Sequence, residues 1–366
     1  MEEKNKIKIP KIAYIFFGIA AFSIVIYLIA IFNTPFADFF NRYISSFLRF
    51  ILASITNILP LSFAELIIIF SPVILFFIIR FAIKKYANSW RDVGVFCITL
   101  LSIISLLFSS FVFLFGVGYH TYELDTKLEL DKKEVSAKEL AQTATWLIGE
   151  INALLDSVEF EEESSSINPH TIRQTNDILL KSYEKLSEKY DFLPAFTSYI
   201  KPILLSEPMT YTHISGVYTY FTGEANLNTN GPDYSLPYTM AHELAHQRGI
   251  AREDEANFIA FLVCSNADDA YIKYCAYMNL FEYVLSALSS ADQELYKETC
   301  QIIDNRTIFE IIANNKHYEK YQDNIVGEIS GAINDAYLQA NGTEGTKSYG
   351  LVVDLAVAYF HKEIEN

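Results

Sequence analysis

Apolar residues form three long runs in the first third of the chain, and later they recur at the spacing of surface helices and strands. The runs cover residues 12–32, 59–83 and 93–118, and each exceeds the ~20 residues that an α-helix needs to cross a bilayer. The segment Asn33-Thr34-Pro35 offers no small-residue cleavage site of the kind that follows a signal peptide. The pattern therefore predicts a membrane domain, residues 1–118, with three transmembrane helices.

Between the first two runs, apolar residues repeat at helical spacing over residues 43–59. This pattern favours a helix that lies on the membrane surface or re-enters it, and a helix packed against the other spans fits equally well. Arg42 and Arg49 are expected on or near its polar side. Glu65, at the start of the second run, is expected at the level of the lipid headgroups.

The remaining residues, 119–366, predict a second domain, and the whole chain is expected to be α+β and mostly α. Val, Tyr, Thr and Phe between two glycines predict a strand over residues 214–222, and alternation predicts another over residues 224–228. Ser136 and Glu139 have the spacing of a capping box at a helix start. The predicted helices cover residues 136–158, 176–190, 239–247, 251–264, 268–290, 292–303, 319–340 and 346–362.

The stretch that organises this domain is His242-Glu-Leu-Ala-His-Gln-Arg-Gly249, which contains the pattern HExxH. On a helix, His242 and His246 lie one turn apart on one face, so both imidazoles can bind one metal ion. Glu243 is displaced around the helix and is placed to contact the water of that metal. Gly249 predicts a left-handed helix stop. A second helix that folds back after it carries three candidate third ligands, Glu253, Asp254 and Glu255.

The segment Glu253-Asp-Glu-Ala-Asn257 resembles the ExxA(D/N) signature of gluzincin metallopeptidases. The resemblance implies Glu253 as the third zinc ligand and Asn257 as a side chain that supports a ligand histidine. Glu255 remains the alternative ligand. The chain departs from gluzincins in its short spacing, since six residues separate His246 from Glu253. It departs from metzincins in Arg252, which stands where they carry a third histidine and cannot bind zinc.

A wider resemblance covers most of the chain. It rests on several N-terminal spans and on the segments Thr222-Gly-Glu-Ala-Asn-Leu-Asn228, Leu236-Pro237, the HExxH stretch, Ala251-Arg-Glu-Asp-Glu-Ala-Asn-Phe258 and Ala336-Tyr-Leu-Gln-Ala-Asn341. In these segments the chain resembles a family of bacterial membrane proteins, Domain of Unknown Function 3810. The family implies no substrate, so the expected function depends on the metal site.

Charge and cysteine content narrow the class of protein. The net charge is −16, and few acids lie in the first 118 residues, so the second domain is acidic and nucleic acid is disfavoured as a partner. The four cysteines form no CxxC zinc knuckle.

The basic segments of the chain predict its orientation in the membrane. By the positive-inside rule, the basic segments 4–11 and 84–91 face the cytoplasm. Three spans then place residues 119–366 on the extracytoplasmic side of the cell membrane, in a multi-pass protein.

Together these features predict a membrane-anchored zinc metallopeptidase, a hydrolase of peptide or protein substrates. Zn²⁺ would be bound by His242, His246 and Glu253, and Glu243 would act as the general base. The two predicted strands stand where zincins bind substrate along a strand edge, although a core hairpin fits the pattern as well. Two alternatives stay open: an inactive zinc-binding envelope sensor or scaffold, and cleavage of a non-protein amide such as a peptidoglycan cross-bridge. The candidate oxyanion or substrate contacts are His213, Tyr218, Tyr220, Arg248 and Tyr349.

Overall fold

The computed structural model describes residues 8–365 and begins with a membrane part that is entirely helical. Within the described residues, three of its helices are long and apolar enough, by length and composition, to cross a membrane. These are the first, fourth and fifth helices, and they confirm the three apolar spans expected from the sequence. In chain order the elements are α1 (Lys11–Phe32), α2 (Thr34–Phe39), a π-helical turn (Phe40–Ser45), α3 (Ser46–Thr56), α4 (Phe63–Tyr86) and α5 (Trp90–Leu114).

Serine caps set the starts of the second and third long helices. Helix α4 begins four residues later than expected because the Ser62 hydroxyl accepts the Glu65 N–H at 3.0 Å. Helix α5 begins three residues earlier than expected because the Ser89 hydroxyl accepts the Asp92 N–H at 3.2 Å. It ends at Leu114, and a short 3₁₀ helix (Gly116–His120) leads into the second domain.

Helix α3 packs against α5 and the second domain, and it leaves an apolar face exposed. Phe47, Ile51 and Ile55 are exposed on that face. Arg49 lies on the opposite face and is completely buried, at 0% exposure. Arg49 thus lies opposite the apolar side, as the spacing predicts, but that opposite side is buried in the protein and does not face water. A buried guanidinium needs acceptors, and the fold supplies them from both domains.

The Arg49 guanidinium joins the end of α5 to the residues after the HExxH helix. One terminal nitrogen donates to the Asn41 side-chain oxygen at 2.9 Å and to the Leu114 carbonyl at 2.9 Å. The other donates to the carbonyls of Asn41 at 3.1 Å and Arg248 at 3.3 Å. The Asn41 amide also donates to the Gly249 carbonyl at 3.0 Å. One buried cation thus fixes the second domain relative to the end of a span.

Two carboxylates make a further connection between the domains. The Glu224 oxygens accept the N–H groups of Phe63 at 3.0 Å and Ala64 at 3.2 Å, in the first turn of α4. A carboxylate is favourable there because the first N–H groups of a helix lack intrahelical partners. Glu65 is buried against the second domain, where it accepts the N–H groups of Leu204 and Leu205 at 3.0 and 2.8 Å.

The second domain is mostly helical with three short strands, as the α+β, mostly α expectation requires. The predicted capping box at Ser136 and Glu139 is present. In chain order the elements are α6 (Leu124–Leu128), α7 (Ala137–Leu154), α8 (Ile172–Lys189), β1 (Lys201–Pro202), α9 (Ser206–Thr210), β2 (Gly216–Thr219), β3 (Glu224–Leu227), α10 (Ser235–Gln247), α11 (Glu253–Ser265), α12 (Ala270–Ala291), α13 (Gln293–Cys300), α14 (Asn305–Glu319), α15 (Ile325–Ala340) and α16 (Val352–Glu365).

Two predicted helices have different bounds in the structure. The expected helix over residues 319–340 is interrupted, because α14 ends at Glu319 and α15 starts after Asn324, whose side chain accepts the Gly327 N–H at 2.8 Å. The expected helix over residues 346–362 starts as a 3₁₀ helix (Gly345–Leu351), and Gly345 has a φ of +69°. Neither change moves the HExxH helix.

The three strands form one sheet in the order β1–β3–β2. β1 runs parallel to β3 and β2 runs antiparallel to it, with Gly216 opposite Leu227 and Thr219 opposite Glu224. The predicted strands are thus both present but shorter than expected. β3 is buried in the middle of the sheet, and β2 is an outer strand. Helix α10 packs against β2 and β3, which places the HExxH motif beside the sheet edge.

Helix α10 is enclosed by the main hydrophobic core. Its apolar side chains Met240, Leu244 and Ala245 are buried together with α11 and α12, and α7 covers the far side of α12. From α8, the Tyr183 hydroxyl donates to the Ala241 carbonyl at 2.6 Å. Removal of this apolar surface from water is the main stabilising term, and it gives the motif a rigid support.

We predict that Arg49→Met lowers the free energy of unfolding by about 3 kcal/mol, because it leaves the carbonyls of Leu114 and Arg248 buried without their charged donor. Thermal unfolding of the full chain in detergent measures the effect. The control is Arg42→Met, which removes an ion pair with the exposed Asp191 and is expected to change stability by at most about 0.5 kcal/mol. Equal stability of the two variants would show that the buried connection contributes nothing.

Candidate metal centre

A tight helical hairpin carries the candidate ligands. After α10, Gly249 adopts a φ of +99°, which an L side chain rarely tolerates. The Gly249 N–H bonds to the His246 carbonyl at 2.9 Å and the Ile250 N–H bonds to the Ala245 carbonyl at 3.1 Å. These two bonds form a Schellman motif, so the predicted glycine stop is confirmed. The turn reverses the chain and brings the first residue of α11, Glu253, back to the histidines.

The structure brings His242, His246 and Glu253 together. One Glu253 carboxylate oxygen lies 3.2 Å from Nε2 of His242 and 3.3 Å from Nε2 of His246. The ligand atoms of the three residues lie within 4.8 Å of one another. Their side chains are 7–11% exposed, so the group is nearly enclosed yet reachable. Two imidazole nitrogens and one carboxylate are a donor set that can hold a divalent cation.

The hydrogen bond that His246 makes on the side away from Glu253 determines which of its ring nitrogens carries the proton. Nδ1 of His246 lies 2.7 Å from the Ile250 carbonyl, which can only accept a hydrogen bond. Nδ1 therefore carries the proton, and in the neutral ring Nε2 presents a lone pair to Glu253. Two acceptors face each other, an arrangement that requires a proton or a cation between them.

Electrostatics in the group follow from this contact. Burial favours the neutral form of His246, but the charge of Glu253 outweighs burial and raises the pKa of His246 to about 9. Burial also acts to raise the pKa of Glu253, yet the neighbouring imidazoles hold that pKa well below its usual range. Without a metal the carboxylate is thus balanced by a protonated imidazole, and a bound cation would replace that proton.

Glu243 lies beside the group but outside it. Its carboxyl is buried against Gly216 of β2, where an added Cβ would lie 2.6 Å from the Glu243 Cγ and from one of its carboxylate oxygens. Its other carboxylate oxygen is buried without a hydrogen-bond partner. Burial raises the pKa of Glu243, against the opposing charges of the two histidines. The sequence did not identify Gly216 as the residue that makes room for this carboxyl.

Four buried tyrosine hydroxyls lie close enough to Glu253 for its charge to raise their pKa values, and only one of them was expected. In each case burial is the largest cause of a raised pKa, and the Glu253 charge adds to it. The pKa values of Tyr283 and Tyr337 rise to about 12. All four hydroxyls therefore stay protonated at neutral pH, and that of Tyr119 already donates to the Tyr337 hydroxyl at 3.5 Å. They belong to Tyr119, Tyr283, Tyr337 and the predicted Tyr349.

Comparison with known proteins gives a family match. The family model described as Protein of unknown function (DUF3810) matches residues 36–357, which is most of the chain. The chain belongs to this family. No curated protein matches it, and no solved structure matches it.

In this DUF3810 protein the second acid of the signature has a different task from the first. The Glu255 carboxylate accepts the Leu124 N–H at 2.9 Å and a guanidinium N–H of Arg252 at 2.8 Å. It therefore connects α11 to α6 and stays apart from the histidines. Of the three candidate third ligands, the hairpin brings Glu253 to the group.

Asn257 does not contact a ligand histidine. Its amide donates to the Tyr283 hydroxyl at 3.4 Å and to the Tyr349 carbonyl at 3.5 Å. The support expected from Asn257 comes instead from the Ile250 carbonyl for His246, while Nδ1 of His242 is buried without a partner. Asn257 acts on the site only through the two tyrosines that it positions.

The five candidate oxyanion or substrate contacts of this DUF3810 protein are dispersed. Tyr349 is the one whose pKa is raised, after burial, by both Glu253 and Glu243. Arg248 is buried, donates to the carbonyls of Leu244 and Phe196, and stacks on two aromatic rings. Both terminal nitrogens donate to backbone carbonyls, so we do not retain it as an oxyanion donor. The other three are His213, Tyr218 and Tyr220.

Those three contacts also have separate environments. His213 lines a cavity of 290 Å³ near α14, where its Nε2 lies 2.8 Å from the Tyr321 carbonyl. Tyr218 packs on Phe115 with ring centroids 5.5 Å apart, and its buried hydroxyl has no hydrogen-bond partner. Tyr220 is half-buried in the turn that follows this strand. Tyr349 is thus the strongest of the predicted donors.

We predict that the purified protein binds about one Zn²⁺ per chain and that His246→Ala abolishes this binding. Glu253→Gln should weaken binding, because it removes the charge of a ligand. Elemental analysis and competition with a chelator measure occupancy. The matched controls, His213→Ala and Glu255→Gln, change the same residue types outside the group and should keep the metal. Full occupancy in His246→Ala, or loss in Glu255→Gln but not in Glu253→Gln, would refute the ligand set.

Proposed function

We propose that this protein is a membrane-anchored zinc metallopeptidase that hydrolyses peptide bonds on the extracytoplasmic side of the cell membrane. The observation that carries the proposal is the convergence of two imidazole nitrogens and the Glu253 carboxylate next to a separate buried carboxyl, that of Glu243. A structural zinc site surrounds the ion with four protein ligands. Three ligands with a separate buried acid beside them fit catalysis better.

In the proposed hydrolysis, each side chain of the site has a separate role. Zinc, when bound, would supply a Lewis acid that polarises the substrate carbonyl and lowers the pKa of its bound water toward neutral pH. Glu243 accepts the proton of the attacking water and returns it to the leaving amine. Because burial raises its pKa, Glu243 is a stronger base than an exposed carboxylate. The protonated Tyr349 hydroxyl is available to donate a hydrogen bond to the developing oxyanion.

The outer edge of β2 offers a place for an extended peptide. β2 pairs with β3 on one side only, and the backbone N–H of Tyr218 interacts with the Glu243 carboxyl. An unpaired strand edge can bind an extended peptide through main-chain hydrogen bonds. A peptide added there would pass directly beside Glu243. This position supports a polypeptide substrate over a small amide.

We predict that Glu243→Gln keeps the metal and the fold but lowers peptide hydrolysis by about 10²–10⁴-fold, because an amide cannot accept the proton of water at neutral pH. Gly216→Ala should also lower the rate, since its methyl group displaces the Glu243 carboxyl while every catalytic side chain stays intact. Gly149→Ala is the matched control, because a Cβ there meets no atom within 4 Å. Cleavage of a peptide library, followed by mass spectrometry, measures the rates.

The outcome for Glu243→Gln also separates the enzyme from a binding protein. If the variant restores the cellular phenotype of a deletion strain as well as the unaltered protein does, the inactive sensor or scaffold replaces the enzyme as the best explanation. Loss of complementation, with zinc content and thermal stability retained, would support hydrolysis as the function.

We predict that a reporter active only in the cytoplasm is silent when fused after Asn366. The reason is that, by the positive-inside rule, the basic residues Lys84, Lys85 and Arg91 between the second and the third apolar helices favour a cytoplasmic loop, and three spans would then put the second domain outside. The matched control is the same reporter inserted after Asn88, in the loop between α4 and α5, which should be active. A strong signal from the C-terminal fusion would reverse the proposed orientation.

A further inference from the structure

The last turn of the third apolar helix forms one side of the candidate site. The Phe115 ring, one residue beyond α5, contacts the His246 ring edge to face with centroids 5.7 Å apart. One turn earlier, Phe111 contacts Tyr220, the residue that follows β2, at 5.4 Å and Tyr337 of α15 at 6.2 Å, while Tyr218 of β2 packs on Phe115 at 5.5 Å. The metal ligands, the strand edge and α15 therefore all touch the same end of one span.

The depth of that end follows from the length of the helix. About 20 helical residues cross the ~30 Å hydrocarbon core of a bilayer. In α5 the last charged side chains are Arg91 and Asp92, and the uncharged run starts at Val93. Counted from there, the hydrocarbon ends at about residue 112. The contact between Phe115 and His246 thus lies in or just above the lipid headgroups.

The fold holds the site at this height. Arg49 connects the Leu114 carbonyl at the end of α5 with the Arg248 carbonyl at the end of α10. Glu224 connects β3 with the first turn of α4. Both connections are hydrogen bonds of buried side chains, and they join the two parts of the chain directly. The second domain cannot rise away from the membrane surface without breaking them.

Helix α15 carries an apolar stripe that continues from the span. Ile325, Ile329 and Ile333 follow at intervals of four residues and are 70%, 55% and 66% exposed. Tyr337, the next position of the stripe, contacts Phe111 of α5. An exposed apolar face on an otherwise polar helix, in contact with a span, is typical of a helix that lies in the membrane interface. We infer that the bilayer surface covers this stripe.

We infer that the substrates of this site are polypeptides anchored in the same bilayer and cleaved within a few residues of the membrane surface. The cleavage rests on the proposed peptidase function, whereas the depth of the site does not. A segment that leaves the bilayer beside α5 meets the β2 edge and Glu243 at once. A peptide bond far from the membrane would reach the β2 edge and Glu243 only if its chain folded back toward the membrane.

The test uses the full chain in liposomes with synthetic anchored substrates. Each substrate has one transmembrane helix followed by a short linker of randomised sequence, exposed on the same side as the second domain. In one set the linker follows the anchor directly, and in the other a helical spacer of about 20 residues, about 30 Å long, separates them. Both sets are equally concentrated in the membrane, so the comparison isolates height. Fragments released by the unaltered protein and by Glu243→Gln are quantified.

We expect Glu243-dependent cleavage of the direct set at least about tenfold faster than of the spacer set, because a rigid spacer that holds the linker out of reach reduces its effective concentration. Equal rates, or faster cleavage of the spacer set, would overturn the inference and leave the peptidase proposal standing. If no linker is cleaved in a Glu243-dependent way, the proposed function fails and the substrate class fails with it.

A second measurement examines depth without any catalysis. A fluorophore is attached at Ile333→Cys in a background that carries Cys97→Ser and Cys300→Ser, since Cys97 is exposed and Cys300 is half-buried. Quenchers fixed to lipid headgroups should quench it more strongly than a water-soluble quencher does. Stronger quenching from water would show that α15 stands clear of the membrane, and it would refute the depth on which the substrate class depends.

Discussion

The site depends on one buried contact, the approach of the Glu253 carboxylate to two imidazole nitrogens. A carboxylate with so little access to water is costly unless opposite charge is near. The Gly249 turn brings that charge within reach, because it reverses the chain directly after His246. The surrounding tyrosines add donors without adding charge. The same contact that stabilises the hairpin thus assembles the three groups on which the proposed zinc site depends.

The second organising feature is the connection between the membrane part and the candidate site. It consists of a buried cation, Arg49, that binds carbonyls from both parts, and of Glu224, whose carboxylate caps a span. Such groups are expensive to bury singly and strongly destabilising to remove. The arrangement makes the apolar helices part of the site's framework, since Phe115 directly follows the third of them and its ring contacts that of His246.

The neighbourhood of Glu243 shows how a small residue can matter as much as a charged one. Gly216 leaves the space that the carboxyl occupies, and the strand edge runs alongside. In the proposed mechanism, the Glu243 carboxyl, a peptide bound at the strand edge and the zinc ion would lie next to one another. Family membership alone carries none of these assignments.

The sequence by itself determined the features that depend on local spacing. The three apolar helices, the capping box at Ser136, the HExxH helix and the stop at Gly249 follow from neighbours within a few residues, because helical periodicity and glycine conformation act over that range. Glu253 was also found, although its preference over Glu255 came from a resemblance. The predicted roles of Asn257 and Arg248 were not observed, since both side chains have partners that lie far away in the sequence.

Only the tertiary structure decided the rest. Arg49 has the periodicity of a surface position, yet it is buried because acceptors about 65 and 200 residues away converge on it. Tyr119, Tyr283 and Tyr337 carry no motif, and Gly216 resembles any strand-boundary glycine. Their importance arises from what is packed beside them. A periodic pattern records which side of a helix avoids water, whereas the partner on that side is set by long-range packing, which no local pattern encodes.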